Sequence, residues 1–565
     1  MNIEFLNSIR KNNTTKEGMK FLYETLSLQE QKCWDEIAQQ NITNFGELFS
    51  LKSYQTPKQI VINEVDTDKS YTYEELELSS NKIKNFLLNT TQEYQIGVNY
   101  HNSFDFLATV IGINKAGKLA ILFNNREPEN RLEELANHSN TKIVFGNPIE
   151  GLQHYNIQKI LNEKLQQLKD DFVLTTKLDD PAFVIFTSGT SGPSKGALFS
   201  HRRAIGAGVA WSLRTGMTED DNCYISLPLY HGNALAVAFS SVIYANATAT
   251  IRIKFSTTHF FEDINSYKCN YMVYIGELWR YILKKYDTNP NKYLKVIFGN
   301  GLTKNLWDKV VEQFDITHVV EHFGSTEMPA GALTNWYDVH GYCGYLPADD
   351  PRLNEMVLVD ENYKVVTYGE NGQALFKVPS GVYKGYLDSS LDETKLHRNL
   401  FETGDVWWKS GDLLSSSPDG FYTFIERLGD TYRFKGENIA CVDVEEEIDQ
   451  CEVFDEVVVY GVSLPNIDGK IGMASLVTKE QLNLEIFLKK LQERLPSYAL
   501  PYILKFEKSK HTTTSTLKIQ KTAMAKEGIE NYQKAKHFVL IEGTYFELDQ
   551  ILYNKIKNSE IILGK

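Results

Sequence analysis

A four-residue apolar run, Phe183-Val184-Ile185-Phe186, opens onto residues 186–196, Phe-Thr-Ser-Gly-Thr-Ser-Gly-Pro-Ser-Lys-Gly. The run has the length of a buried strand. Glycines 189, 192 and 196 let the chain turn with its N–H groups pointing inward, a concavity suited to anions. The hydroxyls of Thr187, Ser188, Thr190 and Ser191 add donors, and Lys195 adds a point charge for phosphate. Gly196 rather than Ser or Thr follows the lysine, so this is not the G-x-x-x-x-G-K-[ST] loop. A strand that feeds a phosphate cradle constrains the chain to an α/β design more than any other feature does.

A second motif, Glu321-His-Phe-Gly-Ser-Thr-Glu327, follows the strand-like His318-Val-Val. Phe323 offers a flat face for adenine, and Gly324 lets the base approach the backbone. Thr326 has a hydroxyl for the α-phosphate, and Glu327 is a hard oxygen ligand for Mg²⁺. His322 and Ser325 are counted with the same nucleotide wall. Upstream, Val296-Ile-Phe-Gly-Asn-Gly-Leu302 ends a strand in Asn300 and Gly301, a backbone able to line the adenine edge. Two Gly-Asp pairs compete for ribose, ending at Asp405 and Asp412. Asp412 is preferred because its hairpin leads through Phe421-Tyr-Thr-Phe into Glu426-Arg427, where Arg427 can donate to ribose or phosphate. Asp405 is expected to be a solvated turn residue. Leu198-Phe-Ser-His-Arg and Pro228-Leu-Tyr-His-Gly232 complete the expected site, with His231 in the second.

The glycine loop resembles the phosphate-binding signature of the adenylate-forming superfamily: acyl-CoA synthetases, luciferases and adenylation domains of peptide synthetases. Tyr274-Ile-Gly-Glu-Leu-Trp-Arg-Tyr-Ile-Leu, Phe298-Gly-Asn-Gly-Leu, Asp430-Thr-Tyr-Arg-Phe-Lys-Gly-Glu-Asn and the tail at 545–563 are similar to the branch of fatty-acid transport proteins and very-long-chain acyl-CoA synthetases. That resemblance implies ATP-dependent activation of a small-molecule carboxylic acid, with Mg²⁺ and then CoA as acceptor. An acyl carrier protein, an amine or another small nucleophile is the alternative acceptor. It also implies that His231 lies where phosphate and acyl sites join, that Gly429 is a hinge and that Lys435 and Gly436 approach CoA. Lys518 becomes the adenylation lysine, with Lys510 and Lys521 as nearby decoys. Met328 follows Glu327 where that branch has a small residue bordering the acyl pocket. A methionine there would narrow the pocket, so long-chain specificity does not follow.

The expected fold is α/β. A large N-terminal domain of helix-covered mixed sheets (46–427) carries the ATP and acyl sites and a small β-subdomain at 355–426. Residues 1–45 form a helical extension, 428–430 the hinge, and 431–565 a mobile α+β lid. Tyr71-Thr-Tyr-Glu-Glu-Leu-Glu-Leu reads as a helix opened by a capping threonine, and Ile60-Val-Ile as a strand. The net charge of −14 argues against nucleic acid or an anionic membrane as the main partner. No segment approaches the ~20 uninterrupted apolar residues of a transmembrane helix, and the N-terminus lacks a signal-peptide pattern. Six scattered cysteines fit reduced thiols in a cytoplasmic enzyme. A homodimer is possible at this size.

Overall fold

The structure, a computed structural model, describes residues 15–168, 172–187, 195–329, 333–347, 355–378, 385–427, 431–434, 437–450, 454–465, 467, 469–478, 482–511, 519 and 521–564. Its architecture is mixed α/β. A six-stranded sheet runs in the order Gln153–Tyr155, Ile143–Gly146, Gln95–Asn99, Leu119–Leu122, Pro181–Thr187 (β1) and Lys195–Ser200 (β2). All its neighbours are parallel except β1 and β2, which are antiparallel. Their register sets Phe186 opposite Gly196 and Thr187 opposite Lys195, so both ends of the glycine loop are held as a cross-strand pair.

An eight-stranded sheet supplies the other wall. Its central strands are parallel and include Asn222–Ile225 (β3), Tyr271–Ile275 (β4), Val296–Asn300 (β5) and His318–Phe323 (β6). Lys69–Thr72 and Leu333–Asn335 close its two edges antiparallel. The chain leaves β3 for Thr248–Ile251 on one side and then crosses to β4 on the other. The carboxyl ends of β3 and β4 therefore flank a topological switch point, where open α/β sheets bind ligands.

The β-rich stretch forms an antiparallel sheet around Val406–Ser416 (β7) and Phe421–Arg427 (β8), with Asn371–Lys377, Met356–Val359, Leu396–Arg398 and Gly344–Tyr345. Toward the C-terminus, Glu456–Val462 (β9) and Ile471–Val477 (β10) begin a five-stranded sheet whose apolar cluster draws only on residues 432–563.

Local rules explain the main helices. Lys16–Gln39 (α1) starts at Thr15, whose side chain accepts from Gly18 N, and its Leu22, Leu26 and Ile37 join the largest core. Phe45–Gln55 (α2) starts at Asn44. Tyr73–Thr90 (α3) carries a full capping box between Thr72 and Glu75, and Leu76, Ile83 and Leu87 form its buried stripe. His201–Thr215 (α4) is capped by Ser200. Gly276–Lys285 (α5) begins where β4 ends. Its Arg280 and Lys284 lie 3.7–3.9 Å from Glu446 and Asp449 of Cys441–Asp449 (α6), tying the large sheets to the C-terminal unit.

One expectation needs correction. Asp405 is buried rather than solvated: its carboxylate accepts from Leu400 N, Phe401 N and Glu402 N and from the Trp407 indole. Burial opposes its ionisation, yet those donors hold the carboxyl down at about 2. It is a turn residue, but an internal organiser of the turn. Among the described residues no disulfide joins the cysteines, and no helix is long and apolar enough to cross a membrane.

The capping box can be checked directly. Thr72→Ala should lower stability by about 1 kcal/mol through the loss of one satisfied helix-end donor, read as a lower denaturant midpoint with an unchanged slope.

Candidate active site

Three strand ends meet around one buried carboxyl. Glu321, on β6, is 3% exposed and accepts from Leu302 N at 3.3 Å, from Gly301 N and from the Tyr274 hydroxyl on β4. Burial raises its carboxyl to about 8, against those three donors, which favour the charged form. Gly301 turns with a φ of +96°, and its carbonyl sits so close to Gly276 that a Cβ there would fall 1.9 Å away. Glycine at 276 is thus required by backbone approach. Asn300, at the end of β5, accepts from Asn233 Nδ2 at 2.7 Å. Asn233 opens a π-helical turn, Asn233–Phe239, just after His231 and Gly232, a local geometry often found at functional sites. One hydrogen bond therefore joins the loops that follow β3 and β5.

The loop after β6 is held from two further sides. Arg203, in the first turn of α4, donates to Thr326 O at 2.7 Å and to Ser325 O at 3.4 Å, with its guanidinium 4.1 Å from the centre of the Phe199 ring. A Cβ on Gly232 would stand 3.6 Å from Thr326 Oγ1, so the His231 loop borders that hydroxyl. The Tyr386 hydroxyl donates to Glu327 Oε1 at 3.3 Å, and Lys195 Nζ lies 5.6 Å from the centre of the same ring. The lysine and the acidic residue picked from distant motifs therefore share one aromatic neighbour. Phe323 stacks near Phe376 and Phe424, each 6.2 Å between centroids. Asp412 lies buried in β7, paired in register with Arg427 on β8. Burial raises the Cys343 thiol, and the carboxylates of Glu321 and Asp412 push it the same way.

The remaining candidates make other contacts. Strand alternation puts His322 on the face of β6 opposite Glu321 and Phe323. Its ring meets Trp211 edge-on at 4.8 Å, and burial takes it to about 4, so it is neutral. His231 packs edge-on against Tyr230 at 4.6 Å. In the expected 198–202 segment, His201 accepts from Phe45 N at 3.3 Å, so it serves the start of α2 instead of the site. Burial takes it also to about 4. Met328 does not narrow a pocket: it is 2% exposed and belongs to the apolar cluster of Phe323, Leu333, Phe376 and Trp408. Of the decoy lysines, Lys521 pairs with Glu445 at 2.7 Å, and Lys510 lies 4.9 Å from the Tyr281 ring centre. Ser188, Gly189, Thr190, Ser191, Gly192, Gly429, Lys435, Gly436 and Lys518 lie outside the described residues, as does the side chain of Arg427.

A family model described as AMP-binding enzyme matches residues 49–387. The chain belongs to that family. This AMP-binding enzyme is 28% identical to the mouse long-chain fatty acid transport protein 6 over 92% of its own length and 91% of that protein's. It is 35% identical to the medium/long-chain-fatty-acid–CoA ligase FadD6 of Mycobacterium tuberculosis, over 59% of this chain and 58% of that one. Two solved structures share its fold. ATP-bound MatB from Rhodopseudomonas palustris superposes with a TM-score of 0.73 at 20% identity, covering 87% of this chain and 99% of that one. O-succinylbenzoate CoA synthetase from Bacillus subtilis, in complex with ATP and magnesium ion, gives 0.72 at 20% identity, over 84% and 98%.

Sequence reasoning passed over Glu321 as a site organiser, and over Arg203, Asn233 and Tyr386. Glu321 opens a motif already singled out and was legible as a buried carboxylate beside a glycine turn. The other three carry no spacing that ties them to it.

The raised carboxyl makes a signed prediction. A group whose folded pKa lies above its unfolded value stabilises fully below the unfolded value and loses that contribution as pH rises through the folded one. The melting temperature of the wild type, relative to Glu321→Gln, should therefore fall as pH rises from 4.5 to about 8. A flat difference across that window would refute a neutral Glu321.

Proposed function

We propose that this enzyme activates a carboxylic acid with ATP and passes the acyl group to CoA, with a fatty-acid-type acid as substrate. The observation that carries the reading is the meeting of Lys195, Thr326 and Glu327 around Tyr386 and Arg203, in a fold whose relatives are named fatty-acid transport proteins and CoA ligases.

In the first step a carboxylate oxygen attacks the α-phosphorus, the bond to the β-phosphate oxygen breaks, and pyrophosphate leaves. Lys195 and the glycine loop, with Thr187, Ser188, Gly189, Thr190, Ser191 and Gly192, would hold the departing phosphates. Thr326 would donate to the α-phosphate, and Lys518 would offset charge building on it and the carboxylate. Gly324, Asn300 and Gly301 would line adenine, with Phe323, 7% exposed in the cluster that also buries Met328, backing that wall, and Asp412 with Arg427 would take the ribose. Glu327 is partly exposed and offers the hard oxygen that Mg²⁺ requires. Among the described residues no group of three or more His, Cys, Asp or Glu gathers, so a cation there would draw its other ligands from phosphate oxygens and water. Bound Mg²⁺ would neutralise phosphate charge; the chain's part is to hold it and exclude competing geometries.

In the second step the CoA sulfur attacks the acyl carbon, the bond to the AMP oxygen breaks, and the thiol proton passes to solvent. We assign Gly429 as the hinge for a lid spanning 431–565, with Lys435 and Gly436 beside CoA and His231 between the phosphate and acyl sites. No side-chain nucleophile is needed, because adenylation supplies the leaving group.

Pyrophosphate release should depend on an added acid in a screen graded by chain length and polarity. Mass spectrometry should find the acyl-CoA only when CoA is present; an adduct of another nucleophile would redirect the second step. Lys518→Ala should abolish acid-dependent pyrophosphate release while leaving ATP affinity within about threefold of the wild type, as befits a group acting mainly in the transition state. Full activity in that variant would remove the lysine from the mechanism.

A further inference from the structure

Tyr386 has been given no role of its own so far, yet it hydrogen-bonds one charged group of the phosphate side and lies near the other. The segment around it is locked onto β2: Leu198 N donates to Gly385 O at 2.9 Å, and Leu387 N donates to Gly196 O at 2.8 Å. Tyr386 bridges Ala197 as an added strand residue. Its N–H donates to Asp392 Oδ1 at 3.0 Å, and that carboxylate fills the space where a Cβ on Gly385 would go. Gly385 takes a φ of +62°, so glycine is needed on both counts. The ring is 2% exposed and cannot swing.

From that fixed base the hydroxyl donates to Glu327 Oε1 at 3.3 Å, and the ring stands 5.6 Å from Lys195 Nζ. Arg203 holds the carbonyls of Ser325 and Thr326 independently. The backbone of the loop is thus set by Arg203, and the carboxylate rotamer by Tyr386. A partly exposed glutamate without such a donor would sample several rotamers, and ordering them on cation binding costs entropy.

We propose that Tyr386 is a positioning residue that presents the Glu327 carboxylate to the cation carried by ATP and keeps the Lys195 ammonium on the same side of the phosphates. This rests on the reading of the site as a magnesium–ATP site, and it assigns the orientation of the Glu327 carboxylate to a residue from a separate segment. Tyr386 touches no reacting atom in this role. It acts through Glu327 and Lys195.

The test is calorimetric titration of ATP into the full chain, once with excess Mg²⁺ and once with EDTA, for wild type, Tyr386→Phe, Glu327→Gln and the double variant. Tyr386→Phe keeps the buried ring and the strand pairing and removes only the hydroxyl. It should weaken magnesium–ATP binding by roughly tenfold, the loss expected for one hydrogen bond to a charged group, and leave binding in EDTA unchanged. In the Glu327→Gln background the same change should have no further effect. Wild-type affinity in Tyr386→Phe, or an equal loss with and without Glu327, would overturn the proposal. If Tyr386→Phe does not fold, Glu327→Gln alone still decides: equal wild-type affinities with Mg²⁺ and EDTA that Glu327→Gln leaves unchanged would remove the cation from this site. Wild type that shows the coupling but releases no pyrophosphate with any acid sinks the adenylation reading and leaves this one standing. Failure of the wild type to bind ATP at all sinks both.

Discussion

The buried carboxyl of Glu321 is the interaction on which the nucleotide side depends. It links β4, through the Tyr274 hydroxyl, to the turn after β5, through Gly301 N and Leu302 N, from its own place on β6. A carboxyl in such surroundings is costly unless its hydrogen bonds are made. The three strand ends therefore cannot move apart without exposing an unsatisfied acid to the core. The absence of side chains at Gly276 and Gly299 lets the backbones close to this distance: a Cβ at either would fall about 2 Å from a carbonyl oxygen, 1.9 Å at Gly276 and 2.1 Å at Gly299.

On that base the site is built by reach between elements far apart in sequence. Arg203 comes from α4, Asn233 from the turn after β3 and Tyr386 from a segment added to β2. Each makes one or two directed contacts to the loops after β5 and β6. The result brings Arg203 to the loop that carries Glu327 and Lys195 to the ring that bonds it, in a chain whose overall charge is −14. Net charge argues against a polyanionic partner, but it does not describe a local site. The acidic helix α6, first in the C-terminal unit, uses its own carboxylates otherwise, facing the cations of α5 across the junction of the two units.

Much of the architecture was readable because it follows from short-range rules. The capping box at Thr72, the strand run at 183–186 and the glycine turn after β5 each depend on neighbours within a few residues. The corrections share an opposite cause. Asp405 was read as solvated because a Gly-Asp turn usually is, whereas four donors enclose it. Met328 was read against a pocket, and the β-subdomain sheet covers it instead. The segment 198–202 was counted with the site, but within it the start of α2 occupies the ring nitrogen of His201.

The order of residues by itself determined the strands, the glycine turns, the family and the chemical types available: an ammonium, a hydroxyl, a carboxylate and a flat ring in motifs of fixed spacing. Those are local properties, set by backbone sterics and side-chain chemistry. Only the tertiary structure decided which buried acid clasps the strand ends, and that a tyrosine some sixty residues beyond Glu327 bonds to it and also lies near Lys195. Such pairings arise from how sheets stack and where a returning segment adds its strand. No periodicity along the chain encodes a contact whose partners are chosen by packing.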